Sequence, residues 1–241
     1  MRILVSVNSV AEAQLVLAAG VSLIDLKDTS HGALSALSMS QSVAIMQAVN
    51  GYKKQHAHTD ILVSATVGDT AESVAALLEL IQSRLEIGVD IIKLPEAIWD
   101  HPLFTAAIGQ VLVTGTRMVA VFSPDSLLQT SMLELRLNKL ATQGYVGVMV
   151  DTIDKSSSVL DCVSILHIQK FTEMARRLQL MVGVAGGLRP AYLAQLCSLE
   201  ADFLGFRSGL CEKGLRQSNL LAESIVSVVR QLSGNCCKMS A

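Results

Sequence analysis

The segment AAGVSLIDLK, residues 18–27, leads from the end of a helical pattern through a glycine into a short apolar strand. The same arrangement returns in EIGVDIIKLP at 86–95, TQGYVGVMVD at 142–151 and LEADFLGFR at 199–207. A glycine or another small residue just past the last helical turn is a common way for a helix to end. One helix-to-strand transition therefore recurs along the chain, which indicates a repeated βα unit.

Eight apolar, β-branched runs have the length of buried strands. They lie at 3–7, 23–27, 61–66, 91–94, 118–122, 146–151, 181–185 and 203–207. Between them, segments such as AESVAALLELIQSRLEIG and SMLELRLNKLATQG carry apolar residues three and four apart, as helices do. Eight such units in 241 residues are typical of a closed (β/α)8 TIM barrel. We predict an α/β fold with one barrel domain, 1–232, and a flexible tail, 233–241.

An open, doubly wound sheet is the alternative fold. It normally has fewer strands and a glycine-rich G-x-G-x-x-G fingerprint after the first one. Here the first strand continues into VNSVAEA, which contains no glycine. The barrel is therefore favoured.

Composition limits the partners and the cellular setting. The net charge is −2 and there is no basic run, so we expect a small-molecule partner and no nucleic acid. We also expect no membrane association and a cytoplasmic location, because neither a membrane-spanning stretch nor a signal peptide is present. Five cysteines without a C-x-x-C pair predict reduced thiols and no structural zinc. An apolar barrel with few surface charges makes a homo-oligomer plausible.

Charged residues stand where all four even-numbered strands end. In barrel enzymes, the carboxyl ends of the strands and the loops after them form the active site. The third strand adds Thr66 and Asp69 as further binding candidates. For any single one of these residues, a solvated rim position or a structural ion pair is an equally good interpretation. The charged residues at the even-numbered strand ends are Asp25, Lys27, Lys93, Asp151, Lys155 and Arg207.

Three lysines at one mouth are costly to bury unless an anionic ligand or a neutral amine relieves their repulsion. A neutral lysine amine attacks carbonyl groups and forms a Schiff base. We predict Lys27 as this nucleophile, because it lies deepest along its strand and has Asp25 on the same face for proton transfer. Lys93 and Lys155 would then lower the pKa of Lys27, move protons or bind a phosphate.

The loops after strands seven and eight commonly bind phosphate in barrels through backbone N–H groups. Gly186 and Gly187 follow strand seven, and Ser208 and Gly209 follow Arg207 at the end of strand eight. Glycine permits the close backbone approach that an anion needs. Although a single Gly-Gly is more often a simple turn, both loops together predict a phosphorylated substrate.

A divalent metal is the alternative to the lysine chemistry. Asp25, Asp69 and Asp151 could supply its oxygen ligands. Carboxylates that already face lysines make poor metal sites, so we expect no metal and no other cofactor. His31 could also enter the site, although loop histidines are more often solvated.

The ordered motifs of the chain resemble one enzyme family, the (5-formylfuran-3-yl)methyl phosphate synthases of methanofuran biosynthesis. The resemblance covers nearly the whole chain and is carried by IDLKDTSHGALSA, VSATVGD, VDIIKLP, VDTIDKS, VAGGL and GFRSGLCEKG. It implies a TIM barrel that condenses two glyceraldehyde 3-phosphate molecules, with loss of phosphate and water, through a Schiff-base lysine. It further implies a lyase, and a role in one-carbon metabolism in methylotrophic bacteria as well as in archaea.

The same resemblance implies that Lys27 is the Schiff-base lysine, that Asp25 is its acid/base partner, and that Lys93, Asp151 and Lys155 are further catalytic residues. Two other functions remain open. One is a different Schiff-base aldolase or isomerase acting on a sugar phosphate. The other is a phosphate-binding barrel without catalytic activity.

Overall fold

A computed structural model describes residues 1–30, 35–56, 60–153 and 157–236. Its eight strands are parallel and close into a barrel in the order β1 to β8, with β8 paired to β1. Helices connect the successive strands. The predicted (β/α)8 barrel is therefore confirmed.

The strands are short and the helices vary in length. The strands are β1 Arg2–Val7, β2 Leu23–Leu26, β3 Leu62–Thr66, β4 Ile91–Pro95, β5 Met118–Phe122, β6 Gly147–Val150, β7 Met181–Val184 and β8 Phe203–Phe206. The helices are α1 Val10–Ala18, α2 Met39–Gln55, α3 Val74–Glu86, α4 Glu96–Trp99, α5 Pro102–Val113, α6 Thr130–Gln143, α7 Val159–Cys162, α8 Ile165–Arg177, α9 Leu193–Leu196 and α10 Ala222–Cys236.

Four strands end one residue earlier than the apolar pattern predicts. The first residues after these strands are Lys27, Asp151, Ala185 and Arg207. The backbone N–H of Lys27 still donates to the carbonyl oxygen of Val7, at 3.2 Å. Asp151 and Ala185 are held in the same way by the neighbouring strands, and the side chains of Lys27, Asp151 and Arg207 lie at the mouth of the barrel.

Apolar side chains fill the interior of the barrel below the mouth. Phe203 lies in this interior, and its ring occupies the space that a Cβ atom on Gly183 would need. A larger core lies between the strands and the surrounding helices. The polar side chains at the mouth lie directly above this apolar interior. The residues of the interior are Leu4, Leu23, Ile91, Val119, Val121, Met149, Ala185 and Phe203.

The last helix differs from its sequence pattern at both ends. The segment SNLLAESIVSVVRQL, residues 218–232, has the apolar spacing of a helix, whereas α10 begins at Ala222, because Leu220 forms an isolated antiparallel bridge with Cys211. The helix continues to Cys236, so residues 233–236 of the expected tail are helical. In the part of the chain that the structure covers, no helix has the length and apolar character that a bilayer crossing requires.

One arginine is buried between α2 and α3. Arg84 is 2% exposed, and burial lowers the pKa of its guanidinium. It donates to the carbonyl oxygen of Leu37 and to Oγ of Ser42, the latter at 2.6 Å. These bonds fix the start of α2, and with it the end of the β2–α2 loop.

Candidate active site

A pocket opens at the carboxyl ends of the strands, above the packed interior. We call it the inner pocket; its volume is about 50 Å³. Its polar lining comes from loops after β2, β6, β7 and β8 and from strands β1, β2 and β4. The polar and glycine residues that line it are Ser6, Asp25, Lys27, Thr29, Lys93, Asp151, Gly186, Gly187, Gly205, Arg207, Ser208 and Arg216.

The deepest ion pair in this pocket joins β4 to β2. Nζ of Lys93 lies 2.6 Å from Oδ1 of Asp25, and the two residues are 3% and 0% exposed. Asp25 also accepts hydrogen bonds from Oγ of Ser6, at 3.0 Å, and from Oγ of Ser64, at 2.7 Å. Three donors therefore hold this carboxylate in one position.

The strand register explains these contacts. Asp25 pairs with Ser6 on β1 and with Ser64 on β3, so both serines are its direct neighbours in the sheet. A small hydroxyl side chain on each side lets the buried carboxylate bond without displacing an apolar neighbour. The sequence analysis missed both serines, although each is a polar residue inside an otherwise apolar strand.

A second ion pair crosses the mouth of the barrel. Nζ of Lys27 lies 3.1 Å from Oδ2 of Asp151, and the two side chains are 8% and 9% exposed. The two residues directly follow β2 and β6, on opposite sides of the barrel. This pair is slightly more accessible than the pair of Lys93 and Asp25, so a ligand that enters the pocket meets it first.

Two expectations from the sequence are wrong. Residues two apart on a strand face the same way, which predicts that Asp25 and Lys27 pair with each other; instead, Asp25 bonds Lys93 and Lys27 bonds Asp151. Lys27 was also expected to be the deepest lysine, yet at 7% exposure it is less buried than Lys93.

The surroundings of Lys93 lower the pKa of its ammonium group. Burial lowers the pKa of its ammonium group, the nearby Asp25 carboxylate raises it, and the charge of Lys27 lowers it further. The net direction is downward, as expected for an ammonium group removed from water. The charge of Lys27 is therefore one of the causes of the lowered pKa of Lys93.

The two glycines after β7 approach their neighbours very closely. Gly186 and Gly187 have φ angles of +98° and +60°, a region that favours glycine. A Cβ on Gly186 would lie 2.7 Å from the backbone N of Thr152, and one on Gly187 would lie 2.9 Å from Cα of Ser158. The loop after β7 therefore packs so closely against the loop after β6 that neither position has room for a side chain.

Arg207 lines the pocket, but its guanidinium binds protein groups. Nη1 lies 2.6 Å from Oε2 of Glu12 and also donates to the carbonyl oxygen of Ser6. Nε donates to the carbonyl oxygen of Arg216 at 2.8 Å, and Nη2 donates to that of Ser218 at 3.3 Å. These contacts hold the loop after β8; that Arg207 also binds substrate, as its place in the pocket lining allows, stays a prediction.

Arg216, which the sequence analysis did not select, lines the inner pocket. Burial lowers the pKa of its guanidinium, and Asp151 raises it; an arginine remains charged under both influences. Its Nη2 contacts the carbonyl oxygen of Asp28 at 3.5 Å. No strand or helix periodicity marks this residue, which comes nine positions after Arg207, so only the loop structure could reveal it.

Only some of the other residues that were predicted to bind substrate line the inner pocket. Ser208 lines the inner pocket, whereas Thr66, Asp69 and Gly209 are not among the described residues that line it. Oγ1 of Thr66 accepts from the backbone N–H of Gly68, and Asp69 accepts from Oγ of Ser35. Two other residues considered for the site, Lys155 and His31, lie outside the described residues. Within 1–30, 35–56, 60–153 and 157–236, no group of three or more His, Cys, Asp or Glu side chains is arranged to hold a metal ion.

Comparison with solved structures supports the fold assignment. Phosphoribosyl anthranilate isomerase from Thermus thermophilus aligns with a TM-score of 0.62 at 14% identity, over 97% of this chain and 99% of its own. The 3-hexulose-6-phosphate synthase from Salmonella typhimurium gives 0.60 at 15% identity, over 96% and 99%. At such low identity, the similarity shows the shared barrel alone.

Sequence comparison identifies the family. A Methylorubrum extorquens protein named as a candidate (5-formylfuran-3-yl)methyl phosphate synthase is 32% identical over 233 residues, 96% of this chain and 91% of that protein. The (5-formylfuran-3-yl)methyl phosphate synthase of Archaeoglobus fulgidus is 29% identical over 243 residues, 97% and 100% of the two chains. The family model described as 4-HFC-P synthase matches residues 3–229. The chain therefore belongs to the 4-HFC-P synthase family of enzymes.

Proposed function

We propose that this protein condenses two molecules of glyceraldehyde 3-phosphate to (5-formylfuran-3-yl)methyl phosphate through a Schiff base on Lys27. One phosphate and two molecules of water leave, which balances the atoms of the two trioses against those of the product. The enzyme would thus be a carbon–oxygen lyase that supplies a methanofuran-type cofactor for one-carbon metabolism. The names of the relatives and the two lysine–aspartate pairs of the inner pocket support this proposal.

The observation that carries the proposal is the pair of Lys27 and Asp151. The amine of Lys27 lies at the open side of the pocket, with a carboxylate oxygen 3.1 Å away. An amine that attacks an aldehyde must lose protons as the carbinolamine forms, and a neighbouring carboxylate can accept one of them. The same carboxylate then stabilises the positive charge of the protonated imine.

The imine makes the next carbon acidic, because its positive nitrogen accepts the electron pair when the C2 proton leaves. Asp151 is the carboxylate nearest to Lys27 and is the proposed base for this proton. The enamine that forms can expel the phosphate on C3 or attack the aldehyde of the second triose. Both routes keep the carbon skeleton attached to Lys27 until hydrolysis releases it.

The pair of Lys93 and Asp25 has a supporting role in this scheme. Asp25 already accepts three hydrogen bonds, so it is less suited than Asp151 to exchange protons with substrate. Lys93 lies beneath the reacting atoms, where its buried charge would stabilise an oxyanion that forms above it. This assignment gives Asp25 the task of orienting Lys93 instead of the acid/base role that it was expected to have.

The phosphate of the imine-bound triose is placed at the wall formed by Gly186, Gly187 and Ser208. These three residues line the inner pocket in the loops after β7 and β8, where barrels commonly bind phosphate.

Product formation is the test of the proposed function. The purified protein is incubated with glyceraldehyde 3-phosphate, and the ultraviolet absorbance of a furan aldehyde and the release of inorganic phosphate are followed together. We expect one phosphate per furan. Phosphate release without furan, or a different carbon product, would contradict the proposal and favour another Schiff-base reaction of a sugar phosphate.

A further inference from the structure

A second, larger cavity adjoins the inner pocket at the mouth of the barrel. We call it the outer cavity; its volume is about 490 Å³. It lies between the loop after β6, the loop after β7 and the long loop after β8. Its lining residues are Ser157, Ser158, Gly187, Arg189, Ser208, Gly209, Lys213, Gly214, Leu215 and Arg216.

The outer cavity has a strongly positive lining. Arg189, Lys213 and Arg216 contribute three cations, and no Asp or Glu is among the described residues that line it. The side chains of Arg189 and Lys213 are exposed, and neither forms a hydrogen bond or an ion pair with any residue that the structure describes. Their charges are therefore available to a ligand.

The inner pocket has a different charge balance. Its two lysines, Lys27 and Lys93, face two aspartates at 3.1 and 2.6 Å, so these four groups carry no net charge when all are ionised. Arg207 is balanced in the same way by Glu12. Arg216 lines both cavities, so among the described lining residues the cations without a carboxylate partner are Arg189 and Lys213, both in the outer cavity.

The two cavities share one wall, and a hydrogen bond from Arg207 holds part of that wall in place. Gly187, Ser208 and Arg216 line both of them. The backbone of Arg216 accepts a hydrogen bond from Nε of Arg207, at 2.8 Å, and Arg207 is itself fixed by Glu12. A ligand in the outer cavity would therefore lie directly beside a substrate in the inner pocket, with Arg216 between them.

This inference rests on the proposed function, in which two phosphorylated trioses must be present together. Each carries a phosphoryl group with nearly two negative charges at neutral pH. Two such groups at one glycine wall would repel each other strongly. Separate sets of cations would reduce this repulsion and keep the second aldehyde close to the enamine.

We propose that the outer cavity is a second phosphoryl-binding site, in which Arg189, Lys213 and Arg216 bind the phosphate of the second triose phosphate. Arg207 acts as a positioning residue, because it holds the backbone of Arg216 at the shared wall. The glycine wall of the inner pocket remains the site for the phosphate of the imine-bound triose.

A fluorescent reporter tests the site without requiring turnover. Leu215 lines the outer cavity and is 58% exposed, and the only natural tryptophan, Trp99, is buried in α4. In the Leu215→Trp protein, we expect inorganic phosphate to change the tryptophan emission with a saturable dependence. Adding Arg189→Gln and Lys213→Gln should weaken this binding about tenfold, which is about 1.4 kcal/mol.

The control protein carries Leu215→Trp with Lys170→Gln and Arg230→Gln, which remove one lysine and one arginine at exposed positions on α8 and α10. It should bind phosphate as tightly as the reporter alone. An unchanged affinity in the Arg189 and Lys213 variant, or an equal loss in the control, would overturn the proposal. Because phosphate itself is the probe, this result stands even if no furan product is found.

Kinetics then assign the site to the second triose. With Leu215 retained, Arg189→Gln with Lys213→Gln should raise the substrate concentration for half-maximal furan formation about tenfold. Borohydride trapping of the first triose on Lys27 should proceed as in the unaltered protein. If trapping weakens to the same extent as furan formation, the outer cavity serves the first triose, and the assignment is wrong.

Discussion

Lys93 and Asp25 form a buried ion pair, with Nζ and Oδ1 2.6 Å apart and both residues less than 5% exposed. Such a pair contributes little net stability when both partners are present, but removal of one partner leaves a buried charge. Burial also lowers the pKa of Lys93 more than Asp25 raises it. The pair is therefore a local source of pH-dependent stability.

Replacement of Lys93 should change how stability depends on pH. The ordinary pKa is 10.5, and the folded-state pKa is lower, so between these values the unfolded chain binds a proton that the folded protein lacks. Stability then rises with pH, by about 1.4 kcal/mol per pH unit inside this window. Lys93→Met removes this rise. Urea unfolding at a series of pH values below 10.5 should show the unaltered protein gaining stability over the variant as the pH rises towards that value.

Lys170→Met provides the control for this experiment, because Lys170 is an exposed lysine on α8. It should follow the unaltered protein at every pH. A constant difference between the Lys93→Met variant and the unaltered protein throughout this range would show that Lys93 keeps its proton when the chain folds.

Asp151→Asn should lower kcat about 10²-fold to 10⁴-fold, because an amide of the same shape cannot accept the proton that Lys27 and the substrate release. KM should change much less, since the amide oxygen can still accept a hydrogen bond from the lysine. Steady-state assays of furan formation measure both constants. Asp125→Asn, the same change at an exposed position after β5, should leave both unchanged. A kcat within threefold of normal would remove Asp151 from the proton transfers.

Gly187→Ala should weaken substrate binding beyond its effect on folding. Gly187 and Gly20 both have positive φ angles, +60° and +84°, so alanine at either position should cost about 1–2 kcal/mol of stability in backbone strain, and more at Gly187 because of its close contact. Only at Gly187 would the new Cβ meet backbone, 2.9 Å from Cα of Ser158; at Gly20 nothing lies within 4 Å. We expect KM to rise about tenfold for Gly187→Ala alone, measured beside the unfolding free energies. Equal KM values for the two variants would remove the glycine wall from the substrate site.

The sequence was sufficient to predict the barrel, because every strand is an apolar run and the strands alternate with amphipathic helices. It also predicted that Asp25, Lys27, Lys93 and Asp151 meet at one mouth, since all of them stand at the carboxyl ends of parallel strands. Which lysine pairs with which aspartate could not be predicted. That choice depends on the curvature of the closed sheet and on the reach of each side chain across it.

Loop residues were harder to predict than strand residues. Arg216 and Arg207 are both arginines near β8, but Arg207 directly follows the strand and was selected for that reason. Arg207 bonds Glu12 and the backbone of Arg216, and both arginines line the inner pocket. No local pattern predicts the position of Arg216, because it arises from contacts between segments that are distant in sequence.

The Schiff base on Lys27 gives the most direct prediction. Borohydride added together with glyceraldehyde 3-phosphate should reduce the imine, leave a stable mass increase on the peptide that contains Lys27, and abolish activity. Lys27→Arg keeps the positive charge next to Asp151, but a guanidinium stays protonated and cannot form the imine. This variant should be inactive and should give no adduct, while Lys93→Arg should still be trapped at Lys27, although more slowly. Peptide mass spectrometry after reduction distinguishes these outcomes. An adduct on Lys93 in the unaltered protein would move the nucleophile to the deeper lysine, and furan formation without any lysine adduct would exclude the covalent mechanism.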